Sequence, residues 1–313
     1  MLSAKTVAIT GSSGFIGRAV TDYMLGTDWY VRGLDMQDRI DVPLRSHFVM
    51  YKGNLLEPTN RTERDYSLHG TNVLVHAAGI TDGPSSTEHD PVIVAYNCEL
   101  VQEALALCVD NEIPCLINVS SAAVYGTAPS PYREDGPTLP ISPYGVSKLS
   151  AESVIDKTAS SLGLRAFSIR LFSPVGRDVR RDGLVQAALF AGSGLGPPVP
   201  LYGVSWRAYT WVHDFSRLVT FIADNYQRWS PGHYIFNFGQ VQTWSQTRLF
   251  GEIEKFIKAP IPYVFCEPRA REVPVVVPDM ANTNTYLGDF VSGNSLDNGL
   301  KEAILGFKTR NGG

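Results

Sequence analysis

Short apolar runs alternate with longer mixed stretches through the first half of the chain. "TVAIT" (6–10), "YVRGLD" (30–35), "HFVMYKGNL" (47–55), "NVLVHAAG" (72–79), "CLINVSS" (115–121) and "LRAFSIRLF" (164–172) carry the branched and aromatic residues of strands. Several are continuous in Val, Ile and Leu, the pattern of strands covered on both faces. Helix-length segments separate them, notably 92–112 and 146–162. Strand–helix–strand alternation predicts right-handed crossovers and an α/β fold, a doubly wound, mostly parallel sheet with helices on both sides. After about residue 172 the rhythm changes. "GSGLGPPVPLYG" (192–203) is too rich in Gly and Pro for regular helix or a central strand. Scattered short strands ("TWVHD", "YIFNFG", "PYVFC") and two helical stretches follow it. They predict a smaller C-terminal lobe over 173–313, interleaved with the end of a main sheet built by 1–172.

Composition narrows the partners more than the fold. At 313 residues the chain buries a core without disulfide staples. A net charge of −4 with no Lys/Arg run argues against bulk nucleic-acid or anionic-membrane binding, and leaves room for a small anion at a local arginine. Cys98, Cys108, Cys115 and Cys266 form no C-x-x-C and read as thiols of a reducing compartment. No leader pattern opens the sequence and no 18 apolar residues run uninterrupted, so a cytoplasmic protein with no membrane span is expected. His76, His213 and Asp214 lack the spacing of a metal-ligand cluster, and no metal is expected.

"VAITGSSGFIG" sets Gly11, Gly14 and Gly17 directly after the first strand and at the mouth of the first helix. Gly11 suits the tight turn, Gly14 the close approach of backbone to a pyrophosphate, and Gly17 the packing of helix on strand. The helix N-terminus adds free N–H groups and a positive dipole end. Asp35 ends the second strand, where a carboxylate accepts from both ribose hydroxyls and repels a 2′-phosphate; NAD is therefore favoured over NADP. Arg18 and Arg39 stand nearby as the groups able to reverse that preference, and an Asp that merely caps a turn is the alternative reading. "GNLLEP" (53–58), with Asn54 and Leu55, and "HAAGIT" (76–81), with Ala77, Ala78 and Gly79, end the next strands and are expected to flank adenine and ribose.

Tyr144 and Lys148 of "SPYGVSK" share a helix face at i and i+4. An ammonium there favours phenolate, lowering a pKa that is otherwise near 10 towards the working range of a base. Spacing alone does not separate this chemistry from an ordinary helix start. Its company does: the glycine triplet, "HAAG", "SSAAVYG", "YGVSK" and "RLFSPVG" occur in order. With these motifs the chain resembles the extended short-chain dehydrogenases/reductases, and among them the NAD-dependent epimerase/dehydratase group that acts on nucleotide sugars.

The resemblance implies a Rossmann-type NAD domain over 1–172 and a mainly substrate-binding lobe over 173–313. It places the catalytic roles on Ser121, Tyr144 and Lys148. Phe15, Ile16, Asn97 and Phe172 join the expected NAD contacts, together with Tyr144 and Lys148 themselves. Ser121, Tyr144, Ser173, Arg207, Arg269 and Glu272 are the expected substrate contacts, the arginines matching diphosphate oxygens. Ala122 and Ala123 stand where the related dehydratases carry an Asp-Glu pair that expels a C6 hydroxyl, so dehydration is not expected. "SSAAVYG" and "RLFSPVG" are similar to the UDP-galactose/glucose 4-epimerases, implying C4 epimerisation through a transient 4-keto sugar. Ser173, Asn54 and Thr81 depart from that pattern at an Asn, an acid and a Lys respectively, which points to a divergent member. A net oxidoreductase, either a nucleotide-4-ketosugar reductase or a dehydrogenase of a free sugar, aldonate or uronate, is the alternative. A catalytically silent NAD sensor is a third reading, disfavoured by the intact Ser/Tyr/Lys set. Relatives pair the helices at 92–112 and 146–162 across a two-fold axis, so a homodimer is expected.

Overall fold

A computed structural model of the chain describes residues 5–38, 47–57, 68–81, 91–178, 183–268, 273–291 and 295–311. In chain order its strands begin with β1 (Thr6–Thr10), β2 (Tyr30–Asp35), β3 (Phe48–Lys52), β4 (Val73–His76), β5 (Cys115–Ser121) and β6 (Arg165–Leu171). They continue with β7 (Pro174–Val175), β8 (Val199–Tyr202), β9 (Trp206–Ala208), β10 (Thr210–Trp211) and β11 (Gly232–Phe238). The last are β12 (Thr243–Ser245), β13 (Tyr263–Cys266) and β14 (Val275–Val276). The helices are α1 (Phe15–Met24), α2 (Pro91–Asp110), α3 (Pro143–Thr158) and α4 (Leu184–Gly192), then α5 (Val212–Asn225), α6 (Gln246–Ile257), α7 (Ala281–Tyr286) and α8 (Ser295–Asn311).

Seven strands form the main sheet in the order β11-β6-β5-β4-β1-β2-β3. The order reverses between β1 and β4, which pair in parallel with Val7 beside Val73 and Thr10 beside His76. Such a reversal opens a crevice at the carboxyl ends of the two strands, because their outgoing connections leave to opposite sides. All of β1 is buried, in keeping with its unbroken apolar run. On one face, Leu100, Val101 and Ala104 of α2 and Ala151 and Ile155 of α3 pack with Ala8, Leu74 and Leu116 of the sheet in a single apolar cluster. α2 is long and apolar enough to cross a membrane by length and composition alone; the apolar residues it gives to this cluster account for that character.

The chain divides into two compact units. The first comprises Met1–Val124, Ser142–Arg170 and Ser216–Phe236. The second comprises Tyr125–Ile141, Leu171–Phe215 and Asn237–Gly313. Within the second, β12-β9-β14 form a small sheet and β7 with β10 and β8 with β13 form two-stranded pairs. Its helices α4, α6 and α8 pack on one another, with the rings of Phe190 and Phe307 edge to face at 5.0 Å.

Two expectations for the C-terminal part need correction. "TWVHD" is a strand only over Thr210–Trp211; from Val212 the chain is helical. Asp214 falls in the first turn of that helix, where a carboxylate favours the helix N-terminus, and the burial of Phe215, Leu218, Val219 and Ile222 along one stripe overrides the local β propensity. Beyond the Gly/Pro-rich segment there are four helices rather than two among the described residues, α5 to α8. The short polar α7 and the Gly-containing α8 give weak sequence patterns. Leu74→Ala, at a position with no exposed surface inside the α2/α3 cluster, is expected to lower unfolding free energy by about 2–5 kcal/mol. Urea denaturation of the two proteins measures it.

Candidate active site

Within the first unit, a cavity of about 610 Å³ opens at the switch point between β1 and β4. Gly11, Gly14, Asp35, Asn54, Leu55, Ala77, Ala78 and Gly79 all line it. Gly11 has φ +68°, and a Cβ there would stand 2.7 Å from the Ala78 nitrogen. A Cβ on Gly17 would strike the Gly11 carbonyl. A Cβ on Gly14 would stand 3.3 Å from that carbonyl, a tight contact, and Gly14 presents bare backbone to the cavity. Gly14 is also the N-cap of α1, which has no side-chain cap and no acid in its first turn. The arrangement fits a bound pyrophosphate: amide donors, a positive dipole end and no acid in the first turn of the helix itself. Phe15, Ile16 and Gly17 form the first turn of that helix.

Asp35 binds the glycine-rich turn to β2. Its Oδ2 accepts from the Ser13 N–H at 2.9 Å and its Oδ1 from the Gln37 N–H at 3.0 Å. The carboxylate therefore caps a turn, and each oxygen keeps a lone pair for a further donor such as a ribose hydroxyl. Asn54 Oδ1 accepts from the Leu56 N–H at 3.1 Å, shaping the turn after β3. Thr10 Oγ1 receives the Ala78 N–H at 3.3 Å and pairs with His76 Nδ1 at 2.9 Å. Burial, reinforced by the charge of Lys148, lowers the His76 pKa to about 3, so the ring is neutral and serves as a support for this turn. Asn97 grips the next stretch: it accepts from the Ile80 N–H and donates to the Ile80 carbonyl, both at 2.9 Å, and donates to Ser147 Oγ at 3.0 Å. Among the described residues no three His, Cys, Asp or Glu side chains gather as metal ligands.

"SPYGVSK" is a helix start that brings Tyr144 and Lys148 onto one helix face. Ser142 caps α3, its hydroxyl accepting from the Gly145 N–H at 3.1 Å, and Pro143 opens the first turn. Tyr144 follows half-buried, and Lys148 lies one turn deeper with Nζ 5.7 Å from the Tyr144 ring centre. Lys148 is buried, and its ammonium donates to the Val119 carbonyl of β5 at 2.9 Å. A Cβ on Gly79 would stand 3.7 Å from Nζ, so the lysine reaches the rim of the cavity. Desolvation brings its pKa from the ordinary 10.5 down to about 8, and Glu152 opposes that fall. Ser121 ends β5, its hydroxyl accepting from the Ala123 N–H at 3.2 Å in a short 3-10 turn with no acidic side chain.

The second unit holds Phe172, Ser173 and Arg207. Phe172 is fully buried beside the stacked rings of Tyr125 and Tyr132, 6.3 Å from each. Ser173 has φ +30°, a backbone region that Gly and Asn enter most readily, so an Asn preference here has a conformational as well as a chemical basis. Arg207 is half-buried on β9 opposite Trp244 and close enough to Tyr132 and Tyr209 to oppose the upward pull of burial on both phenols. Arg39, Arg269 and Glu272 lie outside the described residues.

Sequence reasoning missed a buried pair beneath the lysine. Arg170 of β6 donates through Nη2 to Glu152 Oε2 at 2.8 Å and through Nε to Oε1 at 3.1 Å. Arg170 inside the apolar run of β6 was the available signal, since an arginine is seldom buried without a partner.

The shift at Lys148 has a measurable consequence. Between pH 8 and 10.5 the unfolded chain holds a proton that the folded one has released, so stability rises with pH across that window. Lys148→Met should lack this rise, making the wild-type-minus-variant difference in unfolding free energy larger at pH 10 than at pH 7. A pH-independent difference in urea denaturation contradicts the assignment.

A family model described as the NAD dependent epimerase/dehydratase family matches residues 7–239. The chain is 27% identical over 325 aligned residues to a UDP-glucose 4-epimerase of Azospirillum brasilense, with 96% of this chain and 92% of that one covered. Its fold is similar to a UDP-N-acetylglucosamine 4-epimerase from Methanobrevibacter ruminantium M1 in complex with UDP-N-acetylmuramic acid. There the TM-score is 0.87 at 21% identity, over 99% of this chain and 100% of the other. A UDP-glucose-4-epimerase from Stenotrophomonas maltophila with bound NAD and formylated UDP-arabinopyranose also gives a TM-score of 0.87, at 19% identity over 98% and 99% of the two chains. Since the family model spans most of the chain, from β1 to the end of β11, this protein belongs to the NAD dependent epimerase/dehydratase family.

Proposed function

We propose that the protein is an NAD-dependent nucleotide-sugar 4-epimerase that works through a transient 4-keto sugar. The observation that carries this reading is the buried Lys148 ammonium beside the Tyr144 ring, at the rim of a cavity built by the glycine-rich turn and Asp35. NAD, when bound, supplies a reversible two-electron acceptor. The uncapped N–H groups of α1 hold its pyrophosphate, with Gly14 clearing the approach. Asp35 accepts from the adenosine ribose through its remaining lone pairs and excludes a 2′-phosphate.

Lys148 stabilises phenolate at Tyr144 and donates to the nicotinamide ribose. Tyr144 takes the proton from the sugar C4 hydroxyl and later returns it to the C4 oxygen of the epimer. Ser121 donates to that oxygen as carbonyl character develops. Arg207 holds the diphosphate as a planar donor; Arg269, as a second diphosphate arginine, and Glu272, as an acid for the nucleoside ribose, are assigned from the resemblance alone. Residues 1–172 in this reading carry the dinucleotide and the reacting groups, and 173–313 mainly the substrate contacts.

Two features favour epimerisation over other outcomes in the family. Ala122 and Ala123 leave the turn after β5 without an acid to expel a C6 hydroxyl. The full-length similarity to a protein described as a UDP-glucose 4-epimerase points the same way. The test is turnover of purified protein with UDP-glucose, UDP-galactose and their N-acetylated forms, without added NAD, followed by NMR. Interconversion with no lasting nicotinamide absorbance is expected. Tyr144→Phe should lose it by on the order of a thousandfold, the upper range for a positioned acid–base group, and still bind NAD. Stoichiometric NADH from a free sugar or sugar acid, with no interconversion, would move the protein to the oxidoreductase reading.

A further inference from the structure

We propose that Glu152 is a positioning residue: its carboxylate, shared between Ser120 and Arg170, holds α3 in register with the end of β5 and balances the charge beneath Lys148. The inference rests on the reading of Tyr144 and Lys148 given above. Glu152 lies one turn beyond Lys148 on α3 and is 3% exposed, as is Arg170. Its Oε1 accepts from Ser120 Oγ at 2.5 Å and from Arg170 Nε at 3.1 Å, while Oε2 accepts from Arg170 Nη2 at 2.8 Å. Ser120 stands between Val119, whose carbonyl receives the Lys148 ammonium, and Ser121. A single carboxylate thus ties together α3, β5 and β6 at the residue that separates the lysine's anchor from the reacting hydroxyl.

A staple alone would not need charge. Buried ion pairs are commonly replaced by apolar groups with no loss of stability, so their location is the informative feature. Here the pair lies one turn from an ammonium already penalised by burial. On α2, which packs on α3, burial raises the pKa of the Cys98 thiol beside Ser150 and keeps it neutral. Tyr144 and Asp156 belong to α3, and the Asp156 side chain is 71% exposed and screened by solvent. His76 of β4 is neutral, and burial pushes the His233 pKa of β11 downward. Glu152 is therefore the buried charge that acts on Lys148 among the described residues, and Arg170 holds it in place. With Glu152 neutralised, the ammonium would lose the charge that opposes its desolvation, and Tyr144 would lose the cation that favours its phenolate.

Glu152→Gln keeps the shape of the side chain and removes its charge. The readouts are the acid limb of the pH–rate profile and the Tyr144 ionisation itself, taken as the step in tyrosinate absorbance that Tyr144→Phe removes. Both are expected to move upward by on the order of one pH unit. Because Glu152→Gln leaves Arg170 without its counter-charge, the double variant Glu152→Gln/Arg170→Gln is measured beside it, and both readouts are expected to stay above wild type there as well. Slower turnover with both readouts unmoved in Glu152→Gln, or a double variant that returns to wild type, would overturn the proposal. A wild-type protein with no Tyr144-dependent step below the ordinary phenol range would overturn the catalytic reading itself.

Discussion

The hydrogen bond from the Lys148 ammonium to the Val119 carbonyl, 2.9 Å long and buried, is the constraint around which the first unit is arranged. A cation in an apolar interior is tolerated when its donors are satisfied and a counter-charge is near. Val119 accepts from one of the three ammonium donors, and Glu152, held by Arg170, supplies the counter-charge. The same bond fixes α3 against β5. That places Tyr144 and Ser121, which come from different elements, on a shared frame rather than on independent loops. Ser142 and Pro143 start the helix where this frame requires it.

The cavity follows the same logic from the other side. Thr10, neutral His76 and Asn97 hold the backbone of 77–80 by hydrogen bonds, and Gly11 lies so close to Ala77 and Ala78 that no side chain fits between. Gly17 lets α1 close onto the Gly11 carbonyl, and Asp35 fastens the turn to β2. The carboxyl ends of β1, β2 and β4 thus meet at one place through close backbone approach and short hydrogen bonds, which leaves the side-chain-free wall at Gly14 for a ligand.

Much of this is legible in the chain. Tight backbone approaches demand glycine at Gly11 and Gly17, and the carboxylate that fastens the turn, Asp35, sits at a strand tip, so both write themselves into local sequence. The parallel sheet shows in its unbroken apolar runs. What stayed hidden depends on partners far along the chain. Glu152 reads as a solvent charge on a polar helix until the fold joins it to Arg170, 18 positions further on. Asn97 gives no local sign that its amide clasps Ile80. At Val212 tertiary burial overrules branched and aromatic residues that favour a strand, and at Ser173 the backbone angle explains a preference that sequence alone assigns to ligand chemistry.

The central claim is that a single sugar is oxidised and reduced again at C4 without leaving the protein. The most direct test is UDP-glucose deuterated at C4, incubated with purified protein in ordinary water and analysed by NMR. The account predicts a C4 epimer that retains its deuterium, with no accumulation of reduced nicotinamide. Loss of the label to solvent, or its appearance in released cofactor with a stable ketone as product, would contradict it.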